Sequence, residues 1–153
     1  MPVKNGVVAH YQDGRILKGI THDFSPTRPT FRLRSSDDPG GTAGTLIRSG
    51  ELKALFFVRN LEGDPLRTDL RGFIAGPTET VHGKKIAVRF SDGELFCGYT
   101  LGYTPQRGGF FMFPADAGSN NLRVFVVTAA APEVCEGTAA DELVQRVLNA
   151  KAA

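Results

Sequence analysis

Val7–Leu33 reads VVAHYQDGRILKGITHDFSPTRPTFRL, and Ile86–Met112 reads IAVRFSDGELFCGYTLGYTPQRGGFFM. The two stretches align without a gap at a constant separation of 79 residues. Asp13/Asp92, Gly14/Gly93, Gly19/Gly98, Thr21/Thr100, Pro26/Pro105, Arg28/Arg107 and Phe31/Phe110 are identical pairs, and Val7/Ile86, Tyr11/Phe90, Ile16/Leu95 and Leu33/Met112 are close substitutions. Identity of this density in one ungapped window marks an internal repeat. Each copy reads as three strands. Val7, Ala9 and Tyr11, matched by Ile86, Val88 and Phe90, alternate with period two, as a half-buried strand requires. The Asp-Gly dipeptide that follows is a hairpin signal. The second strand runs through Ile16–Thr21 and Leu95–Thr100. Its internal Gly19 or Gly98 predicts a bulge or sharp bend, the device that curls a sheet toward a barrel. A Pro-x-Arg loop then leads to a third strand at Phe31–Leu33 or Phe110–Phe113.

Working outward, each copy continues through a polar insert, Ser35–Gly50 and Pro114–Asn121, into an apolar run, Leu52–Val58 and Leu122–Val127. Matching Phe56 to Phe125 lowers the separation to 69 and predicts a shorter insert in copy two. Both runs are apolar at successive positions, so both faces of these strands are expected to be covered. That favours two barrels packed together, or a dimer, over two independent beads. Residues 62–85 read as a connection, with one short strand at Gly72-Phe73-Ile74. Thr138 is a plausible N-cap for a helix over Ala139–Ala153, and Leu143, Val144, Val147 and Leu148 share one face of it. The expected organisation is therefore a first β repeat over 1–61, a connector over 62–85, a second repeat over 86–137 and a short helix over 138–153.

Composition sets limits. The chain has 153 residues, 41% of them hydrophobic and 22% charged, with 18 glycines and 9 prolines. These values fit a globular, turn-rich protein. Net charge is +2, which is not the dense basic field of a strong nucleic-acid binder. The residues up to Gly76 hold 11 Lys/Arg against 8 Asp/Glu, a net of +3, and the rest hold 7 against 8, a net of −1. Copy one is thus the side better suited to an anion. Cys97 and Cys135 follow no disulfide or metal spacing, and reduced thiols in a cytoplasmic protein are the simpler expectation. The N-terminal residues lack the apolar core of a signal peptide, and no apolar run reaches the ~20 residues that cross a membrane.

Strand, Asp-Gly hairpin, Gly-containing strand, Thr and an aromatic loop residue over Val7–Leu33 and Ile86–Met112 resemble the first motif of Sm-like proteins and other SH3-like small barrels. The resemblance implies two such barrels and, for Sm-like proteins, RNA binding through an Asp and an Asn in the loop. Asp23 stands at the acidic position in copy one and Gly102 in copy two; the Asn is absent from both. LKALFFV at Leu52–Val58 and FFMFPADAGSNN at Phe110–Asn121 are similar to a bacterial family of unknown function whose members resemble companions of PilZ domains. Those domains bind cyclic di-GMP. Arg28-Pro29-Thr30-Phe31-Arg32 fits the Arg-x-x-x-Arg spacing of PilZ, while the Asp/Asn-x-Ser-x-x-Gly partner pattern is absent from the chain.

No residue pattern marks a catalytic site. His10, His22 and His82 have no metal-ligand spacing with each other or with the cysteines. Gly40–Thr45 lacks the Gly-Lys-Ser/Thr ending of a phosphate loop. Arg28 and Arg107 are the leading binding candidates because both copies hold them, and a guanidinium fork suits phosphate or carboxylate. The same arginine after a Pro turn serves equally to tie down loop carbonyls or a carboxylate such as Asp116 or Asp37. Arg32 and Arg34 alternate with Phe31 and Leu33 and extend the positive patch of Arg28; copy two has Phe111 and Phe113 there. The expected function is a non-enzymatic interaction or adaptor module, needing no cofactor or metal, that binds a protein partner or self-associates through exposed β edges and apolar strand faces. The alternative is nucleotide (cyclic di-GMP-like) or RNA binding through an arginine patch on the first repeat, Arg28, Arg32 and Arg34, with Arg107 the matching candidate in copy two.

Overall fold

The computed structural model describes residues 6–35, 44–59, 79–80, 83–104, 108–115 and 121–152. The protein is mainly β, with one C-terminal helix. Strands β1 (Gly6–Tyr11), β2 (Ile16–Ile20), β3 (Thr30–Ser35), β4 (Thr45–Arg48) and β5 (Leu52–Val58) form a first lobe. After β6 (Glu79–Thr80), strands β7 (Gly83–Arg89), β8 (Leu95–Thr100), β9 (Gly109–Pro114), β10 (Asn121–Val127) and β11 (Glu133–Glu136) form a second. Helix α1 (Thr138–Ala152) ends the chain. All pairings are antiparallel, and ten strands lie in one path, β11-β7-β8-β9-β10-β5-β1-β2-β3-β4, with β6 added beside β7.

Within that path the two lobes follow the same order, fifth-first-second-third-fourth, and the same backbone bonds recur 79 residues apart. Tyr11 N–H donates to Arg15 O and Phe90 N–H to Glu94 O; Gln12 N–H donates to Glu51 O and Ser91 N–H to Ala130 O. Ser49 N–H donates to Pro29 O, and Thr128 N–H to Gly108 O. The hairpin glycines take left-handed φ values of 96° at Gly14 and 91° at Gly93, which only glycine adopts without strain. A Cβ added to Gly19 would lie 2.0 Å from Arg34 O, and one added to Gly98 would lie 2.0 Å from Phe113 O. Both glycines are there to let β3 or β9 cross close over the preceding strand.

The constant spacing corrects one sequence expectation. The counterpart of Val124–Val127 is β4, Thr45–Arg48, and that of β5 is β11, so the insert is not shortened in copy two. Each fourth strand leads through a 3-10 turn, Ser49–Glu51 or Thr128–Ala130, into the fifth. The expected strand at Gly72-Phe73-Ile74 lies outside the described residues, and the last three residues assigned to the connector belong in fact to β7.

The path is open, and this differs from the two closed barrels read from the repeat. Closure of the first lobe requires β5 to meet β4, and closure of the second requires β10 to meet β11. Instead β5 and β10 pair with each other, with Val124 opposite Phe56, Phe125 opposite Leu55 and Val126 opposite Ala54. The edges that closure needs are used to join the lobes. Both faces of β5, and of β10 from Val124 to Val127, are buried as expected, whereas Leu122 is exposed. Ala54, Phe56 and Val58 of β5 pack with Ile86, Val88, Phe90, Met112, Val124 and Val126, the core of the second lobe. Leu55 and Phe57 pack with Val7, Ala9, Phe31, Leu33, Ile47, Phe125 and Val127, the core of the first. The inside of one lobe is thus continuous with the outside of the other, an S-shaped course. Helix α1 covers the outer face of the second lobe, where Ala140, Leu143, Val144 and Val147 pack on Ala87, Leu95, Cys97 and Cys135. Buried Lys85 pins the helix through its Nζ at 3.1 Å from Asp141 Oδ1.

Candidate binding face and its edge

On the outward face of β2, β3 and β4 the first lobe differs from the second at positions 79 residues apart. Strand alternation turns Phe31, Leu33 and Ile47 into the core and leaves Arg32, Arg34, Leu46 and Arg48 outside, all exposed. Arg32 lies opposite Leu46 and Thr30 opposite Arg48; Ile20 lies opposite Arg34. Ile16 and Lys18 extend the same face along β2. The three strands place four cations and no carboxylate here, interleaved with apolar Ile16, Ile20 and Leu46. Ile16 and Leu46 are 51% and 53% exposed. Among the described residues β4 pairs with β3 alone, so its other edge is open.

The predicted site residues fall out as follows. Arg32 and Arg34 stand together on this face. Arg28 is exposed in the turn before β3, its N–H donating to Ser25 O. Arg107 lies outside the described residues. Asp23, at the acidic position of the Sm-like motif, has an evident structural role: its Oδ1 accepts from Arg32 N–H at 2.9 Å and from Thr21 Oγ1 at 3.2 Å. In the second lobe, where Gly102 has no side chain, Thr100 Oγ1 instead donates directly to Phe111 O at 2.7 Å. Lys18 escapes the sequence reading because its face joins that of β3 only in the folded sheet, and Leu46 and Arg48 because Thr45–Arg48 falls within what reads as a polar insert. Carrying the 79-residue spacing past Leu33 would find them, since it sets Leu46 against Phe125 and Arg48 against Val127.

Elsewhere, titratable groups fasten elements together. Lys53 is the extra residue of a β-bulge, where the register steps from His10↔Ala54 to Tyr11↔Leu52. Its Nζ lies 2.7 Å from Asp92 Oδ2 and 2.9 Å from Glu94 Oε1, over the ring of Phe90. Burial, and then the nearby Lys53 charge, lower the pKa of His10, whose ring packs tilted against that of Phe56 with centroids 4.6 Å apart. Cys97 and Cys135 are not joined in a disulfide. Each lies opposite Ala87, one on either side of it. Two strand spacings separate their Cα atoms by about 10 Å, beyond disulfide reach. Arg123 spans the seam, its guanidinium 4.3 Å from the Phe57 ring and 4.6 Å from that of Phe111; burial lowers its pKa. No described group of His, Cys, Asp and Glu is arranged to hold a metal ion, and no described helix is long and apolar enough to cross a membrane.

The architecture defines a mainly β protein of one continuous antiparallel sheet with a cationic face at one end. Residues 3–136 match the family described as "Family of unknown function (DUF6982)", and the chain belongs to it. The match ends with β11, and α1 lies beyond it. No curated protein and no solved structure matches the chain.

Proposed function

We propose that the chain is a tandem duplication of one five-stranded SH3-like unit and works as a non-enzymatic binding module. The face of Lys18, Arg32, Arg34 and Arg48 is its contact surface for an anionic protein partner. The observation that carries this reading is the contrast between equivalent positions. Where the first lobe has these four cations, the second has Cys97, Phe111, Phe113 and Val127. One lobe is built without cations at those positions, so the shared frame does not require them in the other, where they serve recognition. A non-enzymatic role fits the described ionic clusters, which join strand to hairpin and strand to helix. RNA or a nucleotide is the second reading, favoured by the Arg28 and Arg32 spacing. The apolar residues of the face are aliphatic, however, and recognition of single-stranded bases draws on aromatic stacking; Phe31, the ring on β3, is buried in the core.

The test is retention of the full chain on immobilised poly-glutamate and on poly-U RNA, with Arg32→Ala/Arg34→Ala/Arg48→Ala as the variant. Poly-glutamate binding that weakens at least tenfold in the variant and declines with salt is the expected result. Binding unchanged by the three substitutions removes the face from consideration, and preference for poly-U moves the assignment to the second reading.

A further inference from the structure

We infer that the occupant of this face is an extended acidic segment of another protein, added to the open edge of β4 as an antiparallel strand. The inference rests on the cationic face proposed above and adds the mode of capture. The molecule itself supplies the template. β10 stands 79 residues after β4 and takes β5 along the very edge that no described strand takes on β4. The edge is also aimed correctly. Ser49 N–H points to Pro29 O on the β3 side, as Thr128 N–H points to Gly108 O on the β9 side. Backbone groups alternate along a strand, so the amides of Leu46 and Arg48 point away from β3. An added strand satisfies such groups, and side-chain pockets then set specificity.

A second copy of this chain fits less well. Joined as in the seam, it would bring its β4 to β11, the counterpart of β5. The face of β5 that receives the second lobe's core, Ala54, Phe56 and Val58, corresponds on β11 to the face already covered by α1. Joining β4 to β4 would set Arg32, Arg34 and Arg48 of one copy beside those of the other. An acidic strand meets neither obstacle.

The seam register also sets the pattern of the guest. Leu55 opposite Phe125 maps to an apolar residue opposite Leu46. The positions two residues to either side then face Arg48 and Gly44. Gly44 has no side chain, and the Cγ of Arg34 lies 3.6 Å from where a Cβ would be, so a carboxylate opposite Gly44 passes over it to Arg34. The guest therefore reads acidic–x–apolar–x–acidic, a pattern with carboxylates at both ends of the basic face.

The experiment titrates the full chain with a capped, Gly-Ser-flanked peptide centred on Glu-Val-Leu-Val-Glu, and with a scramble of the same composition, while following amide exchange. The expected result is preference for the ordered peptide and protection of the Leu46 and Arg48 amides. Leu46→Pro should bind at least tenfold more weakly; its lost N–H faces outward, where an edge strand tolerates proline. If that variant does not fold, protection of the two amides in the parent chain decides. Equal binding of peptide and scramble, or bound peptide with both amides unprotected, overturns strand addition and leaves the cationic face standing. Failure to hold the peptide, poly-glutamate and poly-U alike sinks both proposals. A dimer in light scattering with these amides protected in the absence of peptide would replace the guest by a second copy.

Discussion

On the outer surface of the third and fourth strands, the first lobe has Arg32, Arg34, Leu46 and Arg48, and the second has Phe111, Phe113, Phe125 and Val127. The backbone beneath is shared, down to the 3-10 turn that follows. What differs is what lies above it. In the second lobe this surface meets the core of the first: the rings of Phe111 and Phe125 stand 5.2 Å apart, and Phe24 reaches from the first-lobe loop to 5.2 Å from Phe125. In the first lobe nothing among the described residues covers it. The comparison separates two pressures on one fold. Apolar side chains on this surface join lobes, and charged ones disfavour indiscriminate pairing at an edge.

The comparison depends on a shared frame, and the largest effect tests that frame. Gly19→Ala and Gly98→Ala each drive a Cβ to 2.0 Å from a carbonyl oxygen of the crossing strand. No side-chain rotation relieves a clash with backbone. Each variant is expected to lose more than about 4 kcal/mol, the exceptional end of single-site effects, and urea unfolding measures it. A mild effect in either lobe would mean that the two crossings are not equivalent.

The next test compares the surfaces directly. Phe125→Ala empties a site that is 4% exposed within the first-lobe core and should cost about 3 kcal/mol. Leu46→Ala, at the matching position in solvent, should stay within about 0.5 kcal/mol. The same unfolding curves report both, and equal losses would show that Leu46 is buried in solution by something bound to it. A smaller change in stability, but a visible one in association, is expected from Arg32→Phe/Arg48→Val. That variant gives the first lobe the residues of the second, so its open edge should gather further copies and raise the mass seen by light scattering above that of the parent chain. A mass equal to the parent's would show that charge is not what keeps this edge single.

Much of the frame is legible in the sequence because its signals are local. The Asp-Gly turns, the alternating first strands and the glycines of the second strands are set by backbone geometry and recur wherever the unit does. β4 is not legible, and the reason lies in packing. Thr45-Leu46-Ile47-Arg48 and Val124-Phe125-Val126-Val127 occupy one position of the fold, yet the seam demands apolar residues on both faces of the second and solvent permits polar ones on the first. Hydropathy therefore matches β10 to β5, its neighbour in space, rather than to β4, its equivalent in the repeat. β11 is hidden for a similar reason: Glu133-Val134-Cys135-Glu136 is short and half-buried, with its apolar cover supplied by α1. Closed barrels are the expectation from sequence because strand order within one unit implies closure, whereas the choice of β5 for β10 is a contact between units. Of the candidate site, Arg32 and Arg34 are legible from alternation alone, and Lys18 and Arg48 require knowing which strands lie beside β3.

The finest contrast concerns the two Asp-Gly hairpins. In the first, Asp13 Oδ2 takes Arg15 Nε at 2.8 Å, a contact within the turn and open to solvent. In the second, Glu94 replaces Arg15, and Asp92 and Glu94 both turn to Lys53 across the seam; the position matching Lys53 in the second lobe is Pro132, so no reciprocal link forms. Burial opposes the charge on Asp92, but the hydrogen bond from Lys53 and then the Glu94 N–H outweigh it, holding the carboxyl below its ordinary value. For Lys53, burial favours the neutral amine, and the hydrogen bonds to Asp92 and Glu94 prevail and raise its pKa. A carboxyl depressed on folding contributes stability above its unfolded pKa of about 3.9, and that contribution is lost as pH falls through the folded value. The raised lysine contributes below about 10.4 and loses its share as pH rises through the folded value. Asp92 is more than half exposed, so solvent screening holds its share to about 1 kcal/mol or less. Asp92→Asn should therefore be less stable than the parent chain near neutral pH by that amount and converge with it in acid. Adding Lys53→Met to the parent chain and to Asp92→Asn should shrink the difference between those two chains to what the Glu94 N–H alone contributes to Asp92. Unfolding midpoints of the four chains across the acid range measure this. Parallel acid limbs for the parent and Asp92→Asn would mean that the seam is held by the β5–β10 pairing and its aromatic cluster without this ionic link.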